Sequence, residues 1–455
     1  MRSLSKLDHF DPDAFMAVHS SGEQLVSVHM NPHKPIYKEG KWNADIPEAP
    51  FEFSGAVPWA PDAFYLAARP QFTLDPFFHA GNYYVQEASG MFLAHALKKV
   101  AGINQKLKVL DLCAAPGGKS TLIQSLISQD SLLVSNEVIK TRIPVLHQNI
   151  TKWGHANNMV SNNDPSHFKK VPGFFDIMLI DAPCSGSGLF RKDPEAAVNW
   201  SMDLVNLCSQ RQKRILADAW DCLKEDGYLI YSTCSYAQEE NEDILDTIFR
   251  QYPSLSIPLD PDPDWGIIET KSGQAGAYGY RFYPDKVSGE GFYISVLQKK
   301  QSAEPMRSPR ANQKPPRLDK TVEKQVGEWI DKGSYSYIPV GEGIHVLPSS
   351  LEFDFEILKN VLYLKKAGVR IGKAGGHDWI PDHELALANI LKREAVHLEL
   401  ERPDAIRFLK GESPEMNLTE KGWRVVIFQG QRLGWAKLLE KRMNNYYPKS
   451  WRIRK

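Results

Sequence analysis

Between residues 76 and 300 the chain alternates short apolar runs with longer segments whose apolar residues recur near helical spacing. The runs are KVLDLC (108–113), SLLVSNE (131–137), FFDIMLIDAP (174–183), GYLIYSTCS (227–235) and GFYISVLQK (291–299), and their length and aliphatic content predict buried strands. QEASGMFLAHALKKV, KSTLIQSLIS, KTRIPVLHQNITKWG, LVNLCSQRQKRILADAWDCL and EENEDILDTIFRQY predict the helices between them. Strand and helix in turn predict an α/β domain over 76–300, a mostly parallel, doubly wound sheet with helices on both faces.

The flanks break this rhythm. Residues 1–75 contain HMNPHKPIY and VPWAPDAFYL, where prolines and aromatics predict an appended module of irregular structure. Residues 299–320, KKQSAEPMRSPRANQKPPRLDK, hold seven basic and two acidic residues with four prolines, which predicts a linker over 301–320. A smaller mixed α/β unit is expected over 321–455, where strand-like VVIF leads into a basic aromatic tail.

Length adds that 455 residues suit about three units, each able to bury a core. Lysine plus arginine and aspartate plus glutamate number 55 each, so nucleic-acid binding would need local basic patches. The N-terminus lacks an apolar signal region, and no run approaches the roughly 18 apolar residues of a spanning helix, so a cytoplasmic protein without membrane association is expected. Cys113, Cys184, Cys208, Cys222 and Cys234 form no CxxC or CxxH pair, which predicts reduced thiols and no metal site. Cys208 and Cys222 sit in a helical segment and read as small buried hydrophobes.

KVLDLCAAPGGKSTLIQSL has the form strand, small-residue turn, helix, so Ala114, Ala115, Gly117 and Gly118 would let a ligand approach backbone N–H groups at a helix start. It is neither a P-loop nor GxGxxG, and such a turn also serves plain packing. Glu137 ends the next strand-like run, where open parallel sheets place ribose-binding carboxylates, and Asp164 follows further on. Either could be a solvated loop residue. Asp181 ends the third apolar run, and Cys184 and Cys234 each follow a strand in small, turn-like surroundings. A solitary cysteine there is usually packing, but two at equivalent sheet edges beside a cofactor turn favour chemistry.

DLCAAPGGKS, NEVIKTR, DAPCSGSGLFRKDPE and STCSYAQEENE, in that order, resemble the motifs of the Sun (Fmu) family of S-adenosylmethionine-dependent RNA cytosine-C5 methyltransferases. FFHAGNYYVQEASGM is similar to the family's segment before the catalytic sheet. SVHMNPHK is similar to its N-terminal segment, with His29 where an arginine is usual. RLGWAK and NYYPKSWR resemble the PUA-like C-terminal module of bacterial 16S ribosomal RNA members. The resemblance implies a Rossmann-like sheet, an N-terminal RNA-engaging extension and a PUA-like C-terminal domain. It further implies S-adenosyl-L-methionine as cofactor and small-subunit ribosomal RNA, or the assembling subunit, as partner of a monomer.

By the same resemblance, the backbone of Cys113, Ala114, Ala115, Pro116, Gly117, Gly118 and Lys119 would hold the methionine part of the cofactor. Glu137 would hold the ribose and Asp164 the adenine amino group, with Arg142 and Asp181 close by. Carbon 5 of cytosine is a poor nucleophile until a thiolate adds to C6, so covalent catalysis is expected. Chemistry alone leaves open which thiol attacks. The family pattern makes Cys234 the nucleophile and Cys184 the releasing thiol, whereas DNA cytosine-C5 methyltransferases attack with the PC cysteine. Lys119 would orient the base or Asp181, and no residue stands out as the base that removes the C5 proton. RNA contacts are expected from Arg191 and Lys192, from Tyr280, Arg281, Phe282 and Lys286, and from Lys441, Arg442, Tyr446, Tyr447, Lys449, Trp451, Arg452, Arg454 and Lys455. The competing readings are a transfer RNA substrate, a non-catalytic RNA-binding assembly factor, and a methyltransferase with another acceptor.

Overall fold

The computed structural model describes residues 10–38, 40–43, 46, 49–101, 105–302, 320–327, 329–330, 332–340, 342–375, 378–392, 395–414, 420–440 and 442–454. A ten-stranded sheet contains β1 (Lys108–Asp111), β2 (Leu132–Asn136), β3 (Asn158–Ser161), β4 (Phe175–Asp181), β5 (Leu223–Thr233), β6 (Ser254–Ser256), β7 (Ile268–Lys271), β8 (Tyr278–Phe282), β9 (Phe292–Lys299) and β10 (Leu364–Ala367). Its order is β7-β8-β9-β5-β4-β1-β2-β3-β10, with β6 beside β9. The run β5-β4-β1-β2-β3 is parallel, and the flanking strands pair antiparallel.

Successive strand residues face opposite sides, which explains why the central runs are apolar throughout. Leu110, Met178, Ile180 and Leu229 enter the core on one face, with Ile215 of α3 (Met202–Ala219) and Ile244 of α4 (Glu242–Gln251). Val109, Ile177, Leu179 and Ile230 enter the core on the other, with Leu122 and Ile123 of α1 (Gly118–Leu126). Each fully buried aliphatic side chain contributes about 1.5–3 kcal/mol. A further helix, α2 (Ile143–Trp153), connects β2 and β3. Strand order reverses at β1, which opens a crevice at the carboxyl ends of β1 and β4, the usual ligand position in such sheets.

The five expected strands form, but β3, β6, β7, β8 and β10 were not expected. β3 is only NMVS, and β10 is LKKA, whose Lys366 is buried against the Glu384 carboxylate. Neither has the apolar run that marks a central strand. Through β10, the region expected as a separate unit over 321–455 shares the central sheet. The expectation of irregular structure near the N-terminus is also corrected. Ser27–Met30, Phe53–Ala56, Ala63–Leu66 and Tyr83–Val85, the last beyond residue 75, form a four-stranded antiparallel sheet.

Two more four-stranded sheets lie within 335–381 and 397–445. The second shares an apolar core with the N-terminal sheet, where Phe77 meets Phe428 at 5.3 Å between ring centroids. Of the expected linker over 301–320, residues 303–319 lie outside the described residues, as do Lys441 and Lys455. Among the described residues no helix is long and apolar enough to cross a membrane.

Candidate active site

β1 ends at Asp111, and the chain turns through Leu112–Gly117 into α1. Gly117 adopts φ +115°, which disfavours a side chain, and a Cβ there would sit 3.3 Å from Leu146. A Cβ on Gly118 would come within 3.0 Å of the Tyr84 ring, so glycine lets the turn pass under the N-terminal module. The resulting pocket is lined by Tyr84, Gln86, Asp111, Ala115, Lys119 and Asp181, among others, including Cys113, Ala114, Pro116 and Gly118. Asp111 is 0% exposed. Ser120 Oγ donates to its Oδ2 at 2.6 Å, while Oδ1 is buried and accepts no hydrogen bond. Burial pushes its pKa up to about 7. Burial also drives the Cys113 thiol well above its ordinary pKa and keeps it protonated.

Glu137 is buried just past the end of β2, and Ile139 N donates to its Oε1 at 2.8 Å. Arg142 Nη1 lies 3.2 Å from Glu137 Oε2, and its Nη2 donates to the Ala115 carbonyl, so the ion pair is tied to the glycine turn. Asp164 lies outside the pocket lining. Its Oδ1 accepts from Ser166 Oγ at 2.7 Å and from Ser166 N at 3.1 Å, and the hydroxyl contact holds its pKa below the ordinary value. Asn163 N donates to Asn136 Oδ1 at 3.0 Å and brings this loop beside the Glu137 strand end. His29, where the family resemblance implies arginine, is buried between Tyr84 and Trp153, and burial drives its pKa down to about 3. Its imidazole is neutral.

The thiols meet because β4 and β5 are parallel neighbours with Asp181 opposite Ser232. The loops leaving them start side by side, and Cys184 Sγ lies 3.2 Å from Cys234 Sγ. The Cys234 contact, then burial, raises the Cys184 pKa well above its ordinary value. Lys119 Nζ reaches Asp181 Oδ2 at 2.8 Å, and Ser232 Oγ donates to Oδ1 at 2.8 Å. Burial works against the Lys119 charge, but Asp181 outweighs it and the pKa is raised. Lys119 and Asp181 both line the pocket at the glycine turn, and the two thiols follow Asp181 and Ser232 on the adjacent strand ends. The five cysteines are all free, and Cys208 and Cys222 are buried in the interior.

Sequence reasoning missed Glu240, although it stands inside the quoted STCSYAQEENE motif. Its carboxylate accepts from Ser185 and Ser235, the residues that follow the two cysteines. Gly188 N donates to the Cys234 carbonyl at 2.8 Å, and Gly291 N donates to the Gly188 carbonyl at 3.0 Å, which joins the same loops to the start of β9. Asp111, Tyr84 and Gln86 were also missed. Only the position of Asp111 at a strand end could have marked it.

Several expected RNA contacts are instead interior. Tyr280, Arg281 and Phe282 are 0%, 1% and 0% exposed, because β8 is covered on both faces. Arg281 makes a bidentate pair with Glu242 at 2.8 and 2.5 Å and donates to the Tyr236 carbonyl. Arg191 is buried against Glu290 and Gly289, and Tyr447 is buried beside His383 and Phe408. Exposed cations do flank the pocket. Arg69, Phe72, Phe78, Tyr84, Asn149 and Arg454 line one groove, and Arg69 and Lys192 line a second that shares Val85 with it.

A family model described as 16S rRNA methyltransferase RsmB/F matches residues 100–298. Models for the N-terminal domain of 16S rRNA methyltransferase RsmF and for the methyltransferase RsmF PUA domain match residues 1–88 and 395–453. The chain is 30% identical over 416 residues to a ribosomal RNA small subunit methyltransferase F of Cronobacter sakazakii, covering 86% of this chain and 83% of that protein. A protein of the same name from Shewanella piezotolerans is 29% identical over 406 residues, covering 86% of this chain and 84% of its own. Among solved structures, a methyltransferase homolog protein from Pyrococcus horikoshii superposes with a TM-score of 0.54 at 26% identity, covering 66% of this chain and 93% of that one.

Proposed function

We propose that this chain, which belongs to the 16S rRNA methyltransferase RsmB/F family, methylates C5 of a cytosine in small-subunit ribosomal RNA by way of a covalent Cys234 adduct. The observation that carries the reading is the 3.2 Å approach of the Cys184 and Cys234 sulfurs at the carboxyl edge of a doubly wound sheet. Two free thiols in contact, on the loops that follow the pocket residue Asp181 and the adjacent strand end, suit a reaction that must both form and break a bond to sulfur.

The residues present fit S-adenosylmethionine. The glycine turn leaves room for close backbone approach, and the unpartnered Asp111 Oδ1 is a buried acceptor suited to an ammonium group. The backbone of 113–119 would hold the methionine part, Glu137 the ribose and Asp164 the adenine, with Arg142 beside them. When bound, the cofactor supplies the sulfonium methyl that the activated carbon takes up.

Cys234 attacks C6 as the thiolate, and the ring electrons move toward C5. Asp181, held by Lys119 and Ser232, lies beside the base and passes a proton to N3 as that charge arrives, the Lys119 ammonium supplying the proton to the carboxylate. A base then takes the C5 proton, the C–H electron pair re-forms the C5–C6 double bond, and Cys234 leaves with the C6–S pair as a thiolate, with Cys184 beside it to assist release. RNA flanking the flipped base lies along the grooves with Arg69, Lys192 and Arg454.

The test is transfer of labelled methyl from S-adenosylmethionine to 16S ribosomal RNA and to small-subunit particles, followed by digestion to nucleosides. Label in 5-methylcytidine supports the reading. Label confined to another nucleoside, or absent, removes it.

A further inference from the structure

We infer that Glu240 is a positioning residue that fixes the distance between the two thiols by clasping the loops that carry them. The side chain is 0% exposed and lies on the short turn before α4. Oε1 accepts from Ser185 N at 2.8 Å and from Gln212 Nε2 at 3.3 Å. Oε2 accepts from Ser185 Oγ and from Ser235 Oγ, each at 2.5 Å. Ser185 follows Cys184 and Ser235 follows Cys234, so one carboxylate is bonded one residue downstream of each sulfur. The two serine hydroxyls lie 3.2 Å apart, and Trp200 Nε1 reaches Ser185 Oγ at 3.3 Å from the outer side.

An acceptor-rich group suits this position. Four donors converge on two oxygens, and charge-assisted hydrogen bonds of this kind are roughly twice as strong as neutral ones. The clasp is anchored in turn, because Tyr231 OH donates to the Glu240 carbonyl at 2.7 Å and Gln212 Nε2 also donates to the Pro183 carbonyl at 3.0 Å. β5, α3 and both cysteine loops therefore share one buried node. A glutamine retains one accepting oxygen for Ser185 N, and its amide nitrogen can donate to serine hydroxyls that rotate to accept. An alanine removes both accepting oxygens: Ser185 N loses its partner, Gln212 Nε2 keeps only the Pro183 carbonyl, and the two serine hydroxyls are left to each other.

The catalytic consequence rests on the division of labour proposed above, whereas the geometric claim does not. The test therefore reads sulfur separation directly in the full-length protein. Diamide takes two electrons and two protons from a pair of thiols, becomes the hydrazine and leaves an S–S bond. Closure of Cys184 to Cys234 is followed by intact mass and peptide mapping. Glu240→Ala is expected to close at least about tenfold more slowly than the native chain and Glu240→Gln within about threefold. In methyl transfer, Glu240→Ala is expected to lose about 100-fold in kcat with KM for S-adenosylmethionine unchanged, and to accumulate more covalent RNA adduct because Cys184 is displaced. If Glu240→Ala does not fold, the Ser185→Ala, Ser235→Ala double variant, which removes both hydroxyl donors, carries the same two readouts. Disulfide closure at the native rate in a folded variant overturns the inference. Glu240-dependent closure in a protein that methylates no cytosine leaves the clasp standing and removes the functional reading instead.

Discussion

Lys119 Nζ lies 2.8 Å from Asp181 Oδ2, and the two pocket residues come from different elements, one at the start of α1 and one at the end of β4. The lysine holds the carboxylate in one orientation, so the pair acts as a unit. Lys119→Met and Asp181→Asn are each expected to lower kcat about 100- to 1000-fold, and the double variant to be little worse than either. Steady-state methyl transfer across the double-mutant cycle measures this. Fully additive losses would show the two acting separately.

Asp111 predicts a pH dependence. Its pKa rises on folding from 3.8 to about 7, mainly through burial. The folded protein keeps a proton that the unfolded chain releases between about pH 4 and 7. The group's contribution to stability is therefore fully present below about pH 4 and lost as pH rises through 7. An ammonium group placed on Asp111 favours the ionised form, so S-adenosylmethionine should bind several-fold more tightly at pH 7.5 than at pH 6. Calorimetric titration at the two pH values checks this, and Asp111→Asn should flatten both the affinity and the stability profiles over that window.

Gly188 has no room for a side chain. A Cβ would overlap the Gly291 carbonyl and lie 2.8 Å from the Cys234 carbonyl. Gly188→Ala is expected to cost about 1–3 kcal/mol in denaturant unfolding and to disturb the Cys234 loop. Gly186→Ala, nearby, meets nothing within 4 Å but has φ +73°, so it should carry backbone strain alone, about 1 kcal/mol.

Arg69 and Arg454 lie 385 positions apart in the chain yet line one groove beside Tyr84. Each is expected to neutralise one phosphate. Arg69→Ala and Arg454→Ala should weaken RNA binding and reduce the slope of log affinity against log salt by about 1 each, with cofactor binding unchanged. Filter binding over a salt series reads the slope.

The run ending at Asp111 and the pair Gly117–Gly118 marked a strand, turn and helix because local pattern alone dictates them. Asp181, Cys184 and Cys234 were recognisable as strand-end groups, but their contacts depend on the parallel register of β4 and β5. Tyr280, Arg281 and Phe282 looked like a basic aromatic surface. The partner that buries Arg281 is Glu242, 39 positions earlier, and no spacing rule reveals that pairing. Glu240 stood among several acidic residues, and only the fold brings it to Ser185, 55 positions away.

Trapping of the covalent complex bears most directly on the division of labour between the two thiols. Cys184→Ser protein incubated with 16S ribosomal RNA and S-adenosylmethionine is expected to accumulate a protein–RNA adduct that survives denaturing electrophoresis. Cys234→Ser and the double variant should form none and transfer no methyl. An adduct formed by Cys234→Ser, or methylation that persists in it, would contradict the account.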